Sequence, residues 1–505
     1  MHTQNCYTRV SQGMFSYVED SSIQMDNKEK DPLINYEFEL SSQTELTKNP
    51  DESKQEAKLY KRRWWLLFVY GLTGLAKGQI YNTWLPLSDS LVIAYDWSDV
   101  AIAQIPGATT ITCAVVSLPL MYLVQRKGLR FGMLVGIFSL VFGSILAAIC
   151  INTNRSIWIL LIGYCFNGVT SSMLMSSGSL LSVTWFPVSE RTTATAVCTM
   201  SLQFGMGLAF VTGPYLTDVY VSAEDVSNKN NLTQEFIDSV ITGIHRTVYF
   251  DLALAVLCMV MVIAYFPSRP PHPPSNSQLI SDTSVTDYVQ GMKSLLLNRQ
   301  LLILLFAAGL TSSTVISWLT LVSVNYRPLG IGQASAGWIG FSSIMAMYLG
   351  SLIVSRVADH LLKKSKLIIM VFIGFGMVNI TILSCIQQKY IILPFNSMIV
   401  LAFLLTINTA VGLCSILPLY YELSCEIGYP VKEGLVGCLV TIAVIVFQFL
   451  YYLLYLIPMF ASDTHWMSWT TLGCSVAAFL LLFTIKDHYP RVDMAEDFLS
   501  GNVDD

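Results

Sequence analysis

Long apolar runs alternate with short polar stretches along most of the chain. A helix needs about 20 apolar residues to cross about 30 Å of hydrocarbon, and each run is long enough to do so. The runs begin near Trp64, Val100, Phe131, Ile157, Thr192 and Val248 and then, after a polar break, near Leu301, Ala336, Leu367, Met398, Leu435 and Trp469. The pattern predicts an all-α membrane protein with twelve transmembrane helices in two six-helix bundles.

The composition agrees with this interpretation. Only 12% of the 505 residues are charged and 53% are hydrophobic, whereas soluble proteins carry roughly 25% charged residues. This argues against a cytosolic enzyme, a nucleic-acid-binding protein or a disordered scaffold. No nucleotide-binding loop, nucleophile elbow or metal-ligand spacing is present, so we expect no enzymatic activity, no cofactor and no metal. Most of the eleven cysteines lie singly inside apolar runs, as is typical of free buried cysteine.

The pattern predicts five segments and their orientation. They are a disordered tail (1–57), a first bundle (58–267), a flexible linker (268–298), a second bundle (299–486) and a second tail (487–505). Lys and Arg collect in the loops of one side, which places both termini and the linker in the cytoplasm. Sequons at Asn154 and Asn231 fall on the opposite, lumenal side, where glycosylation occurs.

Lys77 lies inside the first apolar run, about mid-way along it. A charge within a span is costly, so it indicates a function by default. Two interpretations remain open. Lys77 faces a central cavity, where it contacts substrate or a carboxylate, or it forms a structural ion pair with a neighbouring helix.

An aromatic and amide stripe follows Lys77 on the same helix. Residues three or four apart share a helix face, so Tyr81 and Trp84 are expected to align with Lys77, with Asn82 nearby. Such a stripe suits a planar or cationic organic solute. The alternative for Trp84 is a place in the aromatic belt at the membrane interface.

Further polar residues lie within other predicted spans. Gln203 in the fifth span, Trp318 in the seventh and Gln448 in the eleventh are candidate substrate contacts. His245 and Asp251 are expected to flank the lumenal start of the sixth span. There, His245 is either a pH-sensitive group or an ordinary loop residue.

The arrangement of six plus six helices around a central loop resembles the major facilitator superfamily, in which the substrate site lies between the halves near the bilayer midplane. Arg126 to Arg130 after the second span, and Asp359 with its neighbours after the eighth, resemble the basic loop motif that latches the cytoplasmic helix ends in that superfamily. Glu422, Glu426 and Glu433 lie at the same predicted side. The residues expected to act in gating are therefore Arg126, Arg130, Asp359, Glu422, Glu426 and Glu433.

Several motifs together resemble solute carrier family 49, the feline leukaemia virus subgroup C receptor-related group, and within it the lysosomal branch. They are Tyr81-Asn82-Thr83-Trp84, the basic loop after the second span, Thr184-Trp185-Phe186 with Glu190 to Ala196, Ala336 to Phe341, and the Glu422 to Gly434 region. The resemblance covers about residues 58–486.

The resemblance implies a function and a substrate site. It implies proton-dependent export of vitamin B6 (pyridoxine) from lysosomes. Relatives carry choline and ethanolamine through an aromatic cage with glutamines, and were earlier linked to haem. Gln203 matches the fifth-helix glutamine, and Tyr81 or Trp84 with Trp318 matches the cage approximately. Ile445 replaces the eleventh-helix glutamine, and Gln448 follows one turn later. This departure and the positive Lys77 favour a neutral, ring-bearing solute over choline.

The N-terminal tail contains a candidate sorting signal. Glu29, Leu33 and Ile34 have the spacing of an acidic dileucine motif that sorting adaptors recognise. The expected partners are therefore a small-molecule substrate, protons, membrane lipid and sorting adaptors. The expected location is the lysosomal membrane, and a transport-fold sensor or scaffold remains the alternative from a different class.

Overall fold

The computed structural model describes residues 60–486 except for 153–156, 219–220, 222–224, 227–231, 271–284, 361–363, 392–393, 430, 432, 455–456 and 458–463. The first bundle contains α1 (Arg62–Asn82), α2 (Ser88–Tyr95), α3 (Asp99–Lys127), α4 (Leu129–Asn152), α5 (Ile157–Trp185), α6 (Val188–Thr217) and α7 (Gln234–Ala264). The second begins with α8 (Val285–Leu297), α9 (Arg299–Ala308), α10 (Thr314–Thr320), α11 (Val322–Tyr326) and α12 (Gln333–His360). It ends with α13 (Ser365–Gln387), α14 (Phe395–Cys414), α15 (Leu417–Ile427), α16 (Glu433–Leu454) and α17 (His465–Phe483).

The predicted all-α fold is confirmed. Eleven helical segments in the described part of the chain are long and apolar enough to cross a membrane. The segment α1 does not pass that test, although its 21 residues are long enough to span. Lys77 and Gln79 lower its hydropathy, and both side chains are buried by neighbouring helices. With α1 included, each half contributes six spans.

Two helices depart from the sequence-based boundaries. The helix α7 begins at Gln234, well before the apolar run at Val248, so His245 and Asp251 lie inside it and do not flank its start. The helix α8 occupies most of the second part of the predicted flexible linker. Its Leu295 is 2% exposed and packs with the core, because apolar residues at helical spacing gave this segment a face to bury.

The seventh span is interrupted in its middle. Between α9 and α10 the residues Gly309–Ser313 form a π-helical turn, and such turns are frequent at functional sites. Gly309 packs against the ring of Phe447 on α16. The span then continues through α10 and α11 to a short 3₁₀ turn at Arg327–Leu329.

Because the number of spans is even, the first helix starts and the last helix finishes at the same end of the bundle. We call the end at which α1 starts and α17 finishes the terminal end, and the opposite end, where α2 lies, the Asp89 end. The helices α3 with α16 and α6 with α12 pack across the two halves. Phe210 of α6 contacts Gly337 and Gly340 of α12, on the part of both helices nearer the Asp89 end.

Within the first half, α1 and α6 approach each other at two glycines. A Cβ on Gly78 would overlap the main-chain oxygen of Leu202, and a Cβ on Gly205 would overlap that of Leu75. Small residues at such positions allow membrane helices to pack backbone to backbone. The close contact fixes α1, which carries the candidate substrate residues.

We expect Gly205→Val to destabilise the protein by about 1–3 kcal/mol, because the new side chain has no space against α1. The yield of folded protein in detergent and its thermal unfolding temperature measure this effect. Gly374→Val is the matched control, because no atom lies within 4 Å of a Cβ at Gly374. Equal yields and unfolding temperatures for the two variants would contradict the packing described here.

Candidate functional site

A cluster of polar side chains joins the two halves inside the bundle. The Gln448 amide of α16 donates to the hydroxyl of Tyr81 on α1, at 3.3 Å, and to the hydroxyl of Tyr452, at 3.4 Å. The Tyr452 hydroxyl in turn lies 2.9 Å from the hydroxyl of Thr320 on α10. Lys77 completes this group, which we call the Tyr81 cluster (Lys77, Tyr81, Thr320, Gln448 and Tyr452).

Lys77 lies against the face of Tyr81, with its Nζ 4.3 Å from the ring centroid. The residue is 5% exposed, so it faces neither lipid nor bulk solvent. Counting 1.5 Å per residue, it lies about 22 Å from the start of α1 at Arg62 and about 8 Å from its end. It is therefore nearer the Asp89 end than the mid-span prediction put it. Among the described residues no carboxylate lies within 4 Å of the ammonium, so the ion-pair interpretation is not supported.

The cluster presents polar groups that a solute could use. The Lys77 ammonium and the carbonyl oxygen of Gln448 make no hydrogen bond within the described residues. The two tyrosine hydroxyls can each donate or accept. Together with the two aromatic rings, this arrangement can orient a small ring-bearing molecule by stacking, by donation to an electronegative oxygen or nitrogen, and by acceptance at Gln448.

Asn82 and Gln203 do not belong to the Tyr81 cluster. The Asn82 amide donates to the main-chain oxygen of Met206 at 3.0 Å and so fastens α1 to α6, while its own oxygen is buried without a partner. Gln203 is half-buried on α6 and makes no hydrogen bond to the cluster within the described residues.

The two predicted tryptophans, Trp84 and Trp318, do not belong to the Tyr81 cluster. The helix α1 ends at Asn82, so Trp84 lies beyond the helix and is not on the face that carries Lys77 and Tyr81. Trp84 is 2% exposed and packs against Trp97 inside the first half. This burial also argues against a place in the interfacial belt. Trp318 is fully buried in the second half, where its indole donates to Ser468 at 3.0 Å. The ring of Trp318 packs edge-to-face against the ring of Tyr326, with centroids 6.3 Å apart.

An ion-pair network closes the Asp89 end between the halves. Arg327, in the turn after α11, donates to Asp89 from Nε at 2.8 Å and from Nη2 at 2.5 Å. It also donates to Asp99 from Nη1 at 2.8 Å. The side chain of Asp89 is 1% exposed, that of Arg327 is 18% exposed and that of Asp99 is 28% exposed. We call these three residues the Arg327 bridge.

The electrostatics of the Arg327 bridge keep the guanidinium charged. Burial alone would lower the pKa of Arg327, but Asp89 and Asp99 outweigh it and raise the pKa above its ordinary value. Burial raises the pKa of the Asp89 carboxyl, and the Arg327 guanidinium opposes that shift. One oxygen of Asp89 is buried without a hydrogen-bond partner, so this carboxylate depends on Arg327 for its stabilisation.

Two further contacts strengthen the same end. Gln333, at the start of α12, accepts from the main-chain N–H of Ser90 at 3.1 Å and exchanges a hydrogen bond with its hydroxyl. The Gln104 amide of α3 donates to the main-chain oxygen of Tyr452 at 3.1 Å. The halves are thus joined by polar contacts from the Tyr81 cluster out to the Arg327 bridge.

The predicted gating residues lie at the terminal end. Arg126 is exposed and stacks on Tyr122 with its Cζ 5.0 Å from the ring centroid. The main-chain N–H of Arg130 donates to Ser268 at 3.2 Å. Asp359 belongs to the last turn of α12, Glu433 begins α16, and α15 carries the exposed Glu422 and the buried Glu426. A latch among these residues stays a prediction.

Some expectations concern residues outside the described part of the chain. These are the sorting signal (Glu29, Leu33 and Ile34) and the two sequons (Asn154 and Asn231).

Sequence reasoning missed the Arg327 bridge. No role was predicted for Arg327, Asp89 or Asp99. A signal was present, because Asp89 and Asp99 follow the first span of one half and Arg327 follows the first span of the other. Equivalent connections of two related halves meet at one end of the bundle, so opposite charges there predict a bridge.

Comparison with known proteins agrees with this architecture. A family model described as Major Facilitator Superfamily matches residues 66–424. A solute carrier family 49 member 4 homolog of Xenopus tropicalis is 26% identical over 443 residues, which cover 86% of this chain and 93% of that protein. The choline/ethanolamine transporter FLVCR1 of Felis catus is 25% identical over 403 residues, 78% of this chain and 68% of that protein.

A solved structure shows the same fold. The xylose transporter XylE from E. coli, in an inward open conformation, aligns with a TM-score of 0.61 at 12% identity. The alignment covers 84% of this chain and 96% of that one.

We expect Arg327→Gln to open the Asp89 end. Removing one member of a buried ion pair leaves an uncompensated charge on Asp89 and costs about 3–5 kcal/mol. The partial exposure of Arg327 and Asp99 places the effect at the lower end of that range. The rate at which a thiol reagent labels a cysteine introduced at Ser90 should therefore rise at least tenfold over the rate for the same cysteine in a protein that keeps Arg327. Arg246→Gln is the control, because Arg246 is exposed and only 4.0 Å from the exposed Asp218. Labelling that is equally slow in both variants would contradict a closing role for the bridge.

Proposed function

We propose that the Tyr81 cluster is the substrate site of this chain, which belongs to the Major Facilitator Superfamily. The chain is a multi-pass solute transporter of solute carrier family 49. The observation that carries this proposal is the meeting of Lys77 and Tyr81 from one half with Gln448, Tyr452 and Thr320 from the other. Transporters built from two related halves bind substrate at this interface.

The contacts between the halves support alternating access. The Arg327 bridge and the Ser90–Gln333 pair hold the halves together at the Asp89 end. A solute entering from that end requires these contacts to break, and their reformation seals the path behind it. With the cation-rich terminal end on the cytoplasmic side, the described conformation is closed toward the lumen.

The chemistry of the cluster favours pyridoxine as the solute. Pyridoxine has an aromatic ring, a ring nitrogen and several hydroxyls, which match the tyrosine rings, the Lys77 ammonium and the Gln448 carbonyl. A ligand oxygen that accepts from a charged donor gains about 1.5–3 kcal/mol per hydrogen bond. We propose that the protein exports pyridoxine from the lysosome in symport with protons, after delivery by adaptors that bind the tail at Glu29, Leu33 and Ile34.

A choline- or ethanolamine-like solute is the second candidate. It is favoured by the similarity to the choline/ethanolamine transporter FLVCR1. The position of Lys77 opposes it, because a buried ammonium repels a quaternary cation in the same site.

Redirection to the cell surface tests the transport activity. Leu33→Ala with Ile34→Ala should move the protein to the plasma membrane, where the lysosomal lumen corresponds to the medium. We expect such cells to take up labelled pyridoxine faster than control cells, and faster at acidic than at neutral pH. Uptake of choline alone would favour the second candidate, and uptake of neither would contradict both.

Lys77→Met separates the two candidate solutes and also tests the scaffold alternative. The variant keeps the length of the side chain but removes the charge, so we expect pyridoxine uptake to fall about 10- to 100-fold, the equivalent of one charged hydrogen bond. Choline uptake should rise if the ammonium repels it. Lys127→Met is the matched control, because Lys127 is an exposed lysine that packs on Phe131 with its Nζ 4.7 Å from the ring. Unchanged uptake with normal surface delivery would contradict the substrate role of Lys77.

A further inference from the structure

A small cavity lies inside the first half, and no residue of the Tyr81 cluster lines it. Its volume is about 10 Å³, the space of a single water molecule. It is lined by residues of α1, α4, α5 and α7 together with Trp84, which follows α1. Its polar members are Asp251, Asn167, Ser144 and Tyr164.

Asp251 contributes a carboxylate to this cavity. The residue is 5% exposed and lies on α7 about 20 Å from the terminal end of that helix, at 1.5 Å per residue. This depth is close to that of Lys77. One carboxylate oxygen accepts from the hydroxyl of Thr83 at 2.6 Å, and the other is buried without a hydrogen-bond partner.

The surroundings of Asp251 do not neutralise a charge. Among the described residues no Lys, Arg or His nitrogen lies within 4 Å of its oxygens. Asn167, which is 2% exposed, has both its amide nitrogen and its amide oxygen without partners beside the same cavity. An isolated carboxylate at this depth costs several kcal/mol unless something neutralises it.

A proton fits this cavity better than a metal ion does. Hard cations such as Ca²⁺ take six to eight oxygen ligands, whereas most of this cavity is lined by apolar groups, among them Ile80, Leu140, Ala147 and Val248. A water molecule and a carboxylic acid need only a few polar partners, and Asn167 offers both a donor and an acceptor.

We propose that Asp251 binds the proton that is carried with the solute, an inference that rests on the proton symport proposed above. A hydronium ion gives its proton to the free oxygen of Asp251 and leaves as water. One O–H bond forms on the carboxyl, one breaks on the donor, and the negative charge is removed.

The link to the substrate runs through the end of α1. Thr83, which binds Asp251, is two residues from Tyr81. Gln79 on the same helix donates to Thr212 of α6 at 2.6 Å. Protonation of Asp251 changes what the Thr83 hydroxyl binds, and so changes the anchoring of the segment that carries Tyr81.

Other titratable groups lie on the elements packed against α7. On α1 they are Arg62, Arg63, Tyr70, Lys77 and Tyr81, on α2 Asp89 and Tyr95, on α4 Arg130 and Cys150, on α5 Tyr164 and Cys165, on α6 Glu190, Arg191, Cys198 and Tyr215, and on α7 itself Glu235, Asp238, His245, Arg246, Tyr249 and Cys258. Of these, Tyr164 faces Asp251 across the cavity, and its hydroxyl donates to the main-chain oxygen of Ile80. Asp251 is thus the carboxylate of the cavity that can take up a proton.

The test compares Asp251→Asn with Asp238→Asn in the full chain delivered to the cell surface. Asp238 lies on the same helix but is exposed, so it controls for a lost carboxylate. We expect the ratio of pyridoxine uptake at acidic and neutral pH to fall to one in Asp251→Asn and to stay at the parental value in Asp238→Asn. A parental ratio in Asp251→Asn would overturn the proposal.

A second measurement does not depend on the substrate. Infrared difference spectra of the purified protein in nanodiscs, recorded on acidification, should contain a C=O band at the higher frequency of a buried carboxylic acid, distinct from the bands of the exposed carboxyls. We expect Asp251→Asn to abolish the band and Asp251→Glu to shift it. If no pyridoxine is transported but this band is present, the proposed substrate fails while proton binding at Asp251 holds. If the band is absent from the parent protein or persists in Asp251→Asn, the inference is overturned.

Discussion

The structure depends on the need to enclose polar side chains that lie at the depth of the hydrocarbon. Lipid offers no partners to an ammonium, a carboxylate or an amide, so such groups persist only where other helices surround them. The helix α1 most needs to be surrounded by other helices, because it holds Lys77 and Gln79 within one turn. It meets α6 backbone to backbone at Gly78 and Gly205 and buries most of its length. The most polar span is thereby placed where a solute pathway needs it, between the halves.

The hydrophobic pattern was sufficient to predict the membrane-spanning helices. Spans of about 20 apolar residues have no other stable form in a membrane. Eleven of the twelve predicted starting residues therefore fell within a few residues of the observed helix starts. The sixth was displaced because α7 extends far beyond its apolar run, from Gln234. The same extension placed Asp251 inside the helix, and a residue judged to lie near a loop became the candidate proton site.

Side-chain partners were harder to predict than helices. Lys77 and Tyr81 are four residues apart on one helix, so their contact follows from helical spacing alone. Trp84 and Trp318 were misplaced for different reasons. The first lies beyond the end of α1, and the direction of the second is set by Ser468 of α17, which is 150 residues away. Contacts of this kind depend on which helices meet, and the period of a single helix does not contain that information.

The segment from Lys77 to Asp89 connects the three sites described above. Tyr81 reaches the second half through Gln448, Thr83 binds Asp251 in the first half, and Asp89 binds Arg327 at the closed end. These attachments lie within thirteen residues of one chain segment that is held to α6 at both Gly78 and Asn82. In the proposed mechanism a change of charge at Asp251 and the arrival of a solute at Tyr81 therefore act on the same backbone. Coupling between proton, solute and closure then requires no long pathway through the bundle, because all three bias the position of one helix end.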